Sequence, residues 1–195
     1  MTTATSTPTD DAAGTRTMQV HRVYITAPAQ RVWDALLSPE WTDRYGYGGF
    51  VQSDLRPGSR YVTTAGSGMQ EHGIAGPIID GEVIESDPPR RFVQTWRMLM
   101  DDGLKAEGFT RLTYDLVETD GVTRLTVTHD LTGAPNLAVL TSGAADDQPG
   151  AGGGGWPWVL SDLKSLLETG TASFGASVRS CVTVRRVTPP VSARS

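Results

Sequence analysis

Large apolar side chains recur at every second position through much of the stretch 18–131, and at helical spacing in two places. In "MQVHRVYIT" (18–26) His21, Val23 and Ile25 alternate with Val20, Arg22 and Tyr24, which predicts a strand with one inward face. The period then changes. Val32, Trp33, Leu36 and Leu37 fall three and four apart, predicting a helix capped by Thr26 or Ala27, with Pro28 in its first turn. Pro39 ends it, and Glu40–Tyr45 predicts a second short helix. From Phe50 to Leu131 strands are expected, separated by turns at "RPGS" (56–59), "IDGE" (79–82) and "SDPPRR" (86–91). In "EGFTRLTYDLVETDGVTRLTVTHDL" (107–131) Asp120-Gly121 is a two-residue hairpin turn. That register sets Leu112 opposite His129, Tyr114 opposite Val127 and Leu116 opposite Leu125, all on one covered face. Arg111, Thr113, Asp115, Arg124, Thr126 and Thr128 take the solvated face.

The second helical pattern is "GWPWVLSDLKSLLETG" (155–170). Trp156, Val159, Leu160, Leu163, Leu166 and Leu167 form one stripe, Pro157 suits the first turn and Gly170 the position after the end. So apolar a stripe must face something apolar, and the covered face of the sheet is the surface available. Trp158 lies off the stripe. Between the hairpin and this helix, 132–155 reads as a long Gly/Ala/Asp-rich connection with an apolar island at Leu137–Leu140. Residues 1–17 have the composition of a disordered segment, and 171–195 reads as a tail with one strand-like stretch, "VRSCVTVRRV". The expected division is therefore 1–17, a domain over 18–170, and the tail.

Composition narrows the chemistry. The chain has 195 residues and a net charge of −5, with no Lys/Arg block, so no nucleic-acid surface is expected. No apolar run reaches the roughly 18 residues of a membrane span, and the N-terminus lacks the apolar segment of a signal peptide. A cytoplasmic location is the expectation, and a single cysteine, Cys181, fits a reducing compartment. The three histidines, His21, His72 and His129, show no paired spacing, so no metal is expected; nor does any phosphate loop or serine-hydrolase elbow occur. No cofactor is expected. His129 points inward by the hairpin register. It could act as a general acid/base, but no partner acid is evident, and a hydrogen-bonded core histidine is the favoured reading.

The order strand, two short helices, antiparallel strands, long late helix resembles the helix-grip fold. The strings "ITAPAQRVWDALLSPEWTDRY" (25–45), "GEVIESDPPRRFVQTW" (81–96), "TRLTYDLVETDGVTRLTVTHDL" (110–131) and "GWPWVLSDLKSLLETG" (155–170) resemble the START-like SRPBCC superfamily, specifically the family of activator of heat-shock-protein-90 ATPase homologues. The resemblance implies an α+β fold: a curved seven-stranded antiparallel sheet wrapped around the late helix, with an internal pocket. It implies no shared reaction. By this resemblance Trp41, Tyr45, Tyr47, Phe50, Tyr61, Met69, Trp96, Met98 and Tyr114 sit where such proteins line their interiors. Gln94 shares a strand face with Trp96, and a buried Gln94 would need a partner. The expected ligand wall is Trp41, Tyr45, Phe50, Met69, Gln94, Trp96, Met98, Leu112, Tyr114, Val127, His129, Trp156, Leu160 and Leu163.

Three functions compete. The leading expectation is binding of a small hydrophobic or aromatic molecule between sheet and late helix. An alternative is a polyketide cyclase- or aromatase-like enzyme with His129, Tyr114 or Tyr45 moving protons. The third is a co-regulator of a heat-shock-protein-90-type chaperone. A homodimer is compatible with each.

Overall fold

The computed structural model describes residues 16–143 and 154–173. The expectations for the N-terminal segment before residue 16, the stretch 144–153 and the tail from 174, with Cys181 and the strand-like "VRSCVTVRRV", lie outside the described residues.

The predicted first strand is β1 (Met18–Ile25), its exposure alternating until Ile25 is fully buried. Helix α1 (Ala29–Leu37) follows and buries Val32, Trp33, Leu36 and Leu37. Its N-cap is Pro28, with neither Thr26 nor Ala27 acting as the cap. The capping acceptor comes from far along the chain: Glu118 Oε2 accepts the Ala29 N–H at 2.8 Å, satisfying a donor that the helix start leaves open. The second short helix, α2 (Pro39–Thr42), begins at Pro39 itself and ends before Asp43, earlier than expected, because proline suits a first helical position.

The strands are β2 (Gly49–Gln52), β3 (Arg60–Ala65), β4 (Pro77–Asp87), β5 (Arg91–Met98), β6 (Thr110–Thr119) and β7 (Val122–Asp130). With β1 they form one seven-stranded antiparallel sheet in the order β1-β7-β6-β5-β4-β3-β2. The β6–β7 hairpin has the expected register, with Leu112 opposite His129 and Leu116 opposite Leu125. Its turn residues Asp120 and Gly121 have φ of 52° and 78°, as the two-residue turn requires.

"IDGE" is no turn. It runs inside β4, and the glycine serves a close approach. A Cβ on Gly81 would lie 1.9 Å from the Thr95 carbonyl oxygen on β5. The register slips at Thr63/Thr64 between β3 and β4 and at Val83/Glu85 between β4 and β5. Such irregularities bend strands, and here they curve the sheet. The strand region also contains two short helices that alternation did not reveal, α3 (Ser67–Glu71) and α4 (Asp102–Ala106). The apolar island of the predicted connection is helical as well: α5 (Pro135–Ser142).

The late helix is α6 (Gly155–Thr169), closed by Gly170 at φ 81° whose N–H donates to Leu166 O. Leu160, Leu163, Leu166 and Leu167 are buried in the same core as Ile25, Val32, Phe92, Leu112, Leu125 and Val127. Each buried leucine contributes roughly 1.5–3 kcal/mol. The C-terminal half of α6 is tied to the β1 end: Lys164 Nζ donates to Tyr24 O and to Glu168, and Glu168 Oε1 accepts the Thr26 N–H at 2.7 Å. Among the described residues no helix is long and apolar enough to cross a membrane.

Glu107, the residue after α4, reaches the start of α5. Its carboxylate accepts the N–H groups of Asn136 and Leu137 at 2.8 and 2.9 Å, and the Asn136 side-chain amide. Glu107→Ala is expected to cost about 1 kcal/mol, the usual worth of a helix N-terminal acceptor. Hydrogen exchange should quicken first in α5; unchanged protection there would refute the tie.

Candidate ligand cavity

Between the concave face of the sheet and the N-terminal half of α6 lies a cavity of about 500 Å³. Its floor comes from inward positions of β3, β5 and β6: Tyr61 and Thr63, Gln94 and Trp96, Tyr114. Its roof is Trp156, Val159, Leu160 and Leu163 of α6. Around the rim stand Gly46–Gly49, Met69 of α3, Met100 and Leu104 flanking the start of α4, and Leu140 and Thr141 of α5.

The Gly46–Gly49 segment is held to α6. Asp162, only 2% exposed, accepts the Gly46 N–H at 2.8 Å. Gly46 has φ 56°, and a Cβ there would press on Val159 at 3.3 Å, so glycine suits both the backbone and the contact. The rings of Tyr47 and Trp158 meet at 4.8 Å, which places the tryptophan that the leucine stripe left unassigned.

Of the residues expected on the wall, Tyr45, Met69, Gln94, Trp96, Met98, Tyr114, Trp156, Leu160 and Leu163 line the cavity. Five lie elsewhere. Trp41 is part-buried, with the guanidinium groups of Arg31 and Arg44 over its ring at 5.7 and 4.7 Å. Phe50 alternates with buried Gly49 and Val51 on β2 and so takes the opposite face. Leu112 and Val127 are core residues, 1% and 0% exposed, sealed beneath the wall.

His129 is fully buried, behind Trp96 and Trp156. Trp156 Nε1–H donates to His129 Nδ1 at 3.2 Å. That leaves the proton of the neutral ring on Nε2, which donates to Thr110 Oγ1 at 2.8 Å. The Thr110 hydroxyl in turn donates to Trp96 O at 2.8 Å. Both ring nitrogens are therefore engaged within the protein. Burial, the leading cause, lowers the His129 pKa to about 4, so the ring is neutral near pH 7. The tyrosines are shifted the other way. Burial pushes Tyr61 up to about 12 and raises Tyr45 and Tyr114 well above the ordinary tyrosine value too, so all three keep their protons. The Tyr45 hydroxyl donates to Ala35 O at 3.2 Å. His21 is not on the wall; its Nε2 is buried without a partner among the described residues, and burial lowers its pKa. His72 closes α3. Among the described residues no three His, Cys, Asp or Glu side chains converge as a metal site would require.

The sequence reading did not assign Asp162, Thr63, Met100, Leu104, Leu140 or Val159 to the site. Asp162 did carry a signal, an acid three residues from Val159 and beside Leu163, where a buried partner is required. Met100, Leu104 and Leu140 sit on or beside rim helices that alternation could not reveal, whereas Thr63 lies on β3 in the floor and Val159 on the predicted stripe of α6 in the roof.

A seven-stranded antiparallel sheet curved around a C-terminal helix, with two short helices after the first strand, is the START-like helix-grip fold. The family model described as "Activator of Hsp90 ATPase homolog 1-like protein" matches residues 26–168, and the chain belongs to that family. Solved structures agree on the fold. Protein MLL2253 of Mesorhizobium loti is 19% identical with a TM-score of 0.56, over 77% of this chain and 96% of that one. NE0264 of Nitrosomonas europaea is 19% identical with a TM-score of 0.55, over 77% and 93%. CalU16 of Micromonospora echinospora is 22% identical with a TM-score of 0.47, over 64% of this chain and 66% of that one, too loose a likeness to carry an argument. No curated protein matches the chain.

Proposed function

We propose that this protein binds a small hydrophobic or aromatic molecule between the sheet and α6, with residues 18–170 as the working unit and the cytoplasm as its location. The observation that supports this reading is the cavity: about 500 Å³, within the range of ligand sites, walled mainly by aromatic, aliphatic and thioether side chains with a few polar groups. Solid packing is the norm for protein interiors, so a space of this size calls for an occupant. The cyclase-like alternative is less well supported. His129 has both nitrogens engaged, and the three tyrosines hold their protons too tightly to act as bases. The chaperone alternative draws on the family's name alone, which records its namesake's role.

The test is a panel of aromatic and fatty compounds in thermal denaturation. A ligand at about a hundred times its Kd stabilises by about 2.7 kcal/mol, a rise of roughly 5–10 °C in Tm. Leu160→Trp, which fills the roof, should abolish that rise while leaving the unliganded protein folded. A panel with no response, or a rise that survives the filled roof, would refute the proposal.

A further inference from the structure

One polar group in the cavity lacks what the protein ordinarily supplies. Gln94 sits in the middle of β5 on the concave face, 1% exposed, and lines the cavity. Its cross-strand neighbours are Val83 on β4 and Leu112 on β6, and neither side chain can donate a hydrogen bond. Its Oε1 is buried without a partner among the described residues. Tyr61 stands near enough for Gln94 to be among the groups that lower the pKa of its hydroxyl, against the larger effect of burial. An unpaired buried acceptor is uncommon in a native structure and marks a place where something else donates.

We infer that Gln94 is the specificity-determining residue of this cavity, and that the ligand is an uncharged aromatic ring system carrying a hydroxyl or N–H donor, a phenol in the simplest case. This rests on the binding reading above. The donor is required by the Gln94 carbonyl. Tyr114 also lines the cavity and keeps its proton, so its hydroxyl can donate to the same ligand oxygen. The ring system follows from the walls, where Trp96, Tyr114 and Trp156 present aromatic surface, Tyr114 and Trp156 edge to face at 6.3 Å. Neutrality follows from the charges. Among the described residues no Lys, Arg or His lines the cavity, and its one acid, Asp101, accepts the Gly103 and Leu104 N–H groups at the start of α4. A buried anion would find no counter-charge.

The experiment titrates the full chain with 2-naphthol, 2-methoxynaphthalene, naphthalene and 2-naphthyltrimethylammonium, calorimetrically. The naphthol is expected to bind about tenfold tighter than the methoxy compound and naphthalene, the discrimination a site shows when its buried acceptor is left unpaired. In Gln94→Leu and Gln94→Met that ratio should fall to near one, chiefly because the donor-free ligands no longer pay a penalty. Equal binding of naphthol and its ether by the unaltered chain, or a ratio that persists in both variants, would overturn the assignment to Gln94 and leave cavity binding standing. Tightest binding of the ammonium would overturn the neutral-ligand inference. Failure of all four to bind would overturn it together with the ring-system reading. The ratio in the unaltered chain decides the donor requirement even where a variant does not fold.

Discussion

Gly81→Ala is expected to lower Tm by about 6–12 °C, a loss on the order of 3 kcal/mol. The new Cβ would lie 1.9 Å from the Thr95 carbonyl oxygen and 2.8 Å from its carbon, both backbone atoms that no rotamer change can move aside. The β4–β5 ladder pairs Asp80 with Arg97 and Val83 with Gln94, and Gly81 lies between those pairs. On its other side Gly81 pairs with Tyr61 of β3. Separating β4 from β5 here would displace Tyr61 and Gln94 together, so the variant should also lose ligand binding beyond its loss of stability. Thermal melts by circular dichroism decide the matter. A shift below about 2 °C would show that β4 and β5 part here without cost.

The second large effect is acid destabilisation. The native His129 pKa is about 4, against an ordinary value of 6.5. The unfolded chain therefore binds a proton that the folded chain refuses between those values. The histidine's contribution is complete above pH 6.5 and is lost as pH falls to 4, about 3 kcal/mol in all. His21, lowered by burial, acts in the same direction. The lowered carboxylates Asp80, Asp130 and Glu168 act below their own ordinary values, so pH 6.5 to 4.5 is chiefly a histidine window. Urea unfolding across pH 7.5–4.5 should show stability falling with acid, and His129→Gln should flatten most of the slope. A flat profile in the unaltered chain would refute the buried neutral ring.

Much of the frame was legible because two local devices set it. The Asp120-Gly121 turn and the alternation beside it determine which side chains of β6 and β7 face inward, Tyr114 and His129 among them. The leucine stripe of α6 announces its buried side. Long-range contacts were not legible. Glu118 caps a helix whose first residue is 89 positions away, and no local motif encodes that. Gly81 reads as a turn residue, since a glycine kept for backbone approach and one kept for a turn look alike in a sequence. In α5 Leu137, Ala138, Val139 and Leu140 are consecutive, without the spacing that reveals a helix. For the wall, Gln94 and Trp96 follow from strand alternation. Trp41 and Phe50 came from resemblance, and the local sequence does not determine where a ring on a four-residue helix or a four-residue strand will turn.

The near-absence of charge along the described wall has an evolutionary corollary. On the binding reading proposed above, such a chamber would recognise contour and one or two hydrogen bonds, and exchanging a few roof or rim side chains would readdress it while the strands beneath keep their register. Dissimilar cargoes would then require no new architecture, and the frame itself is one shared by proteins only about a fifth identical.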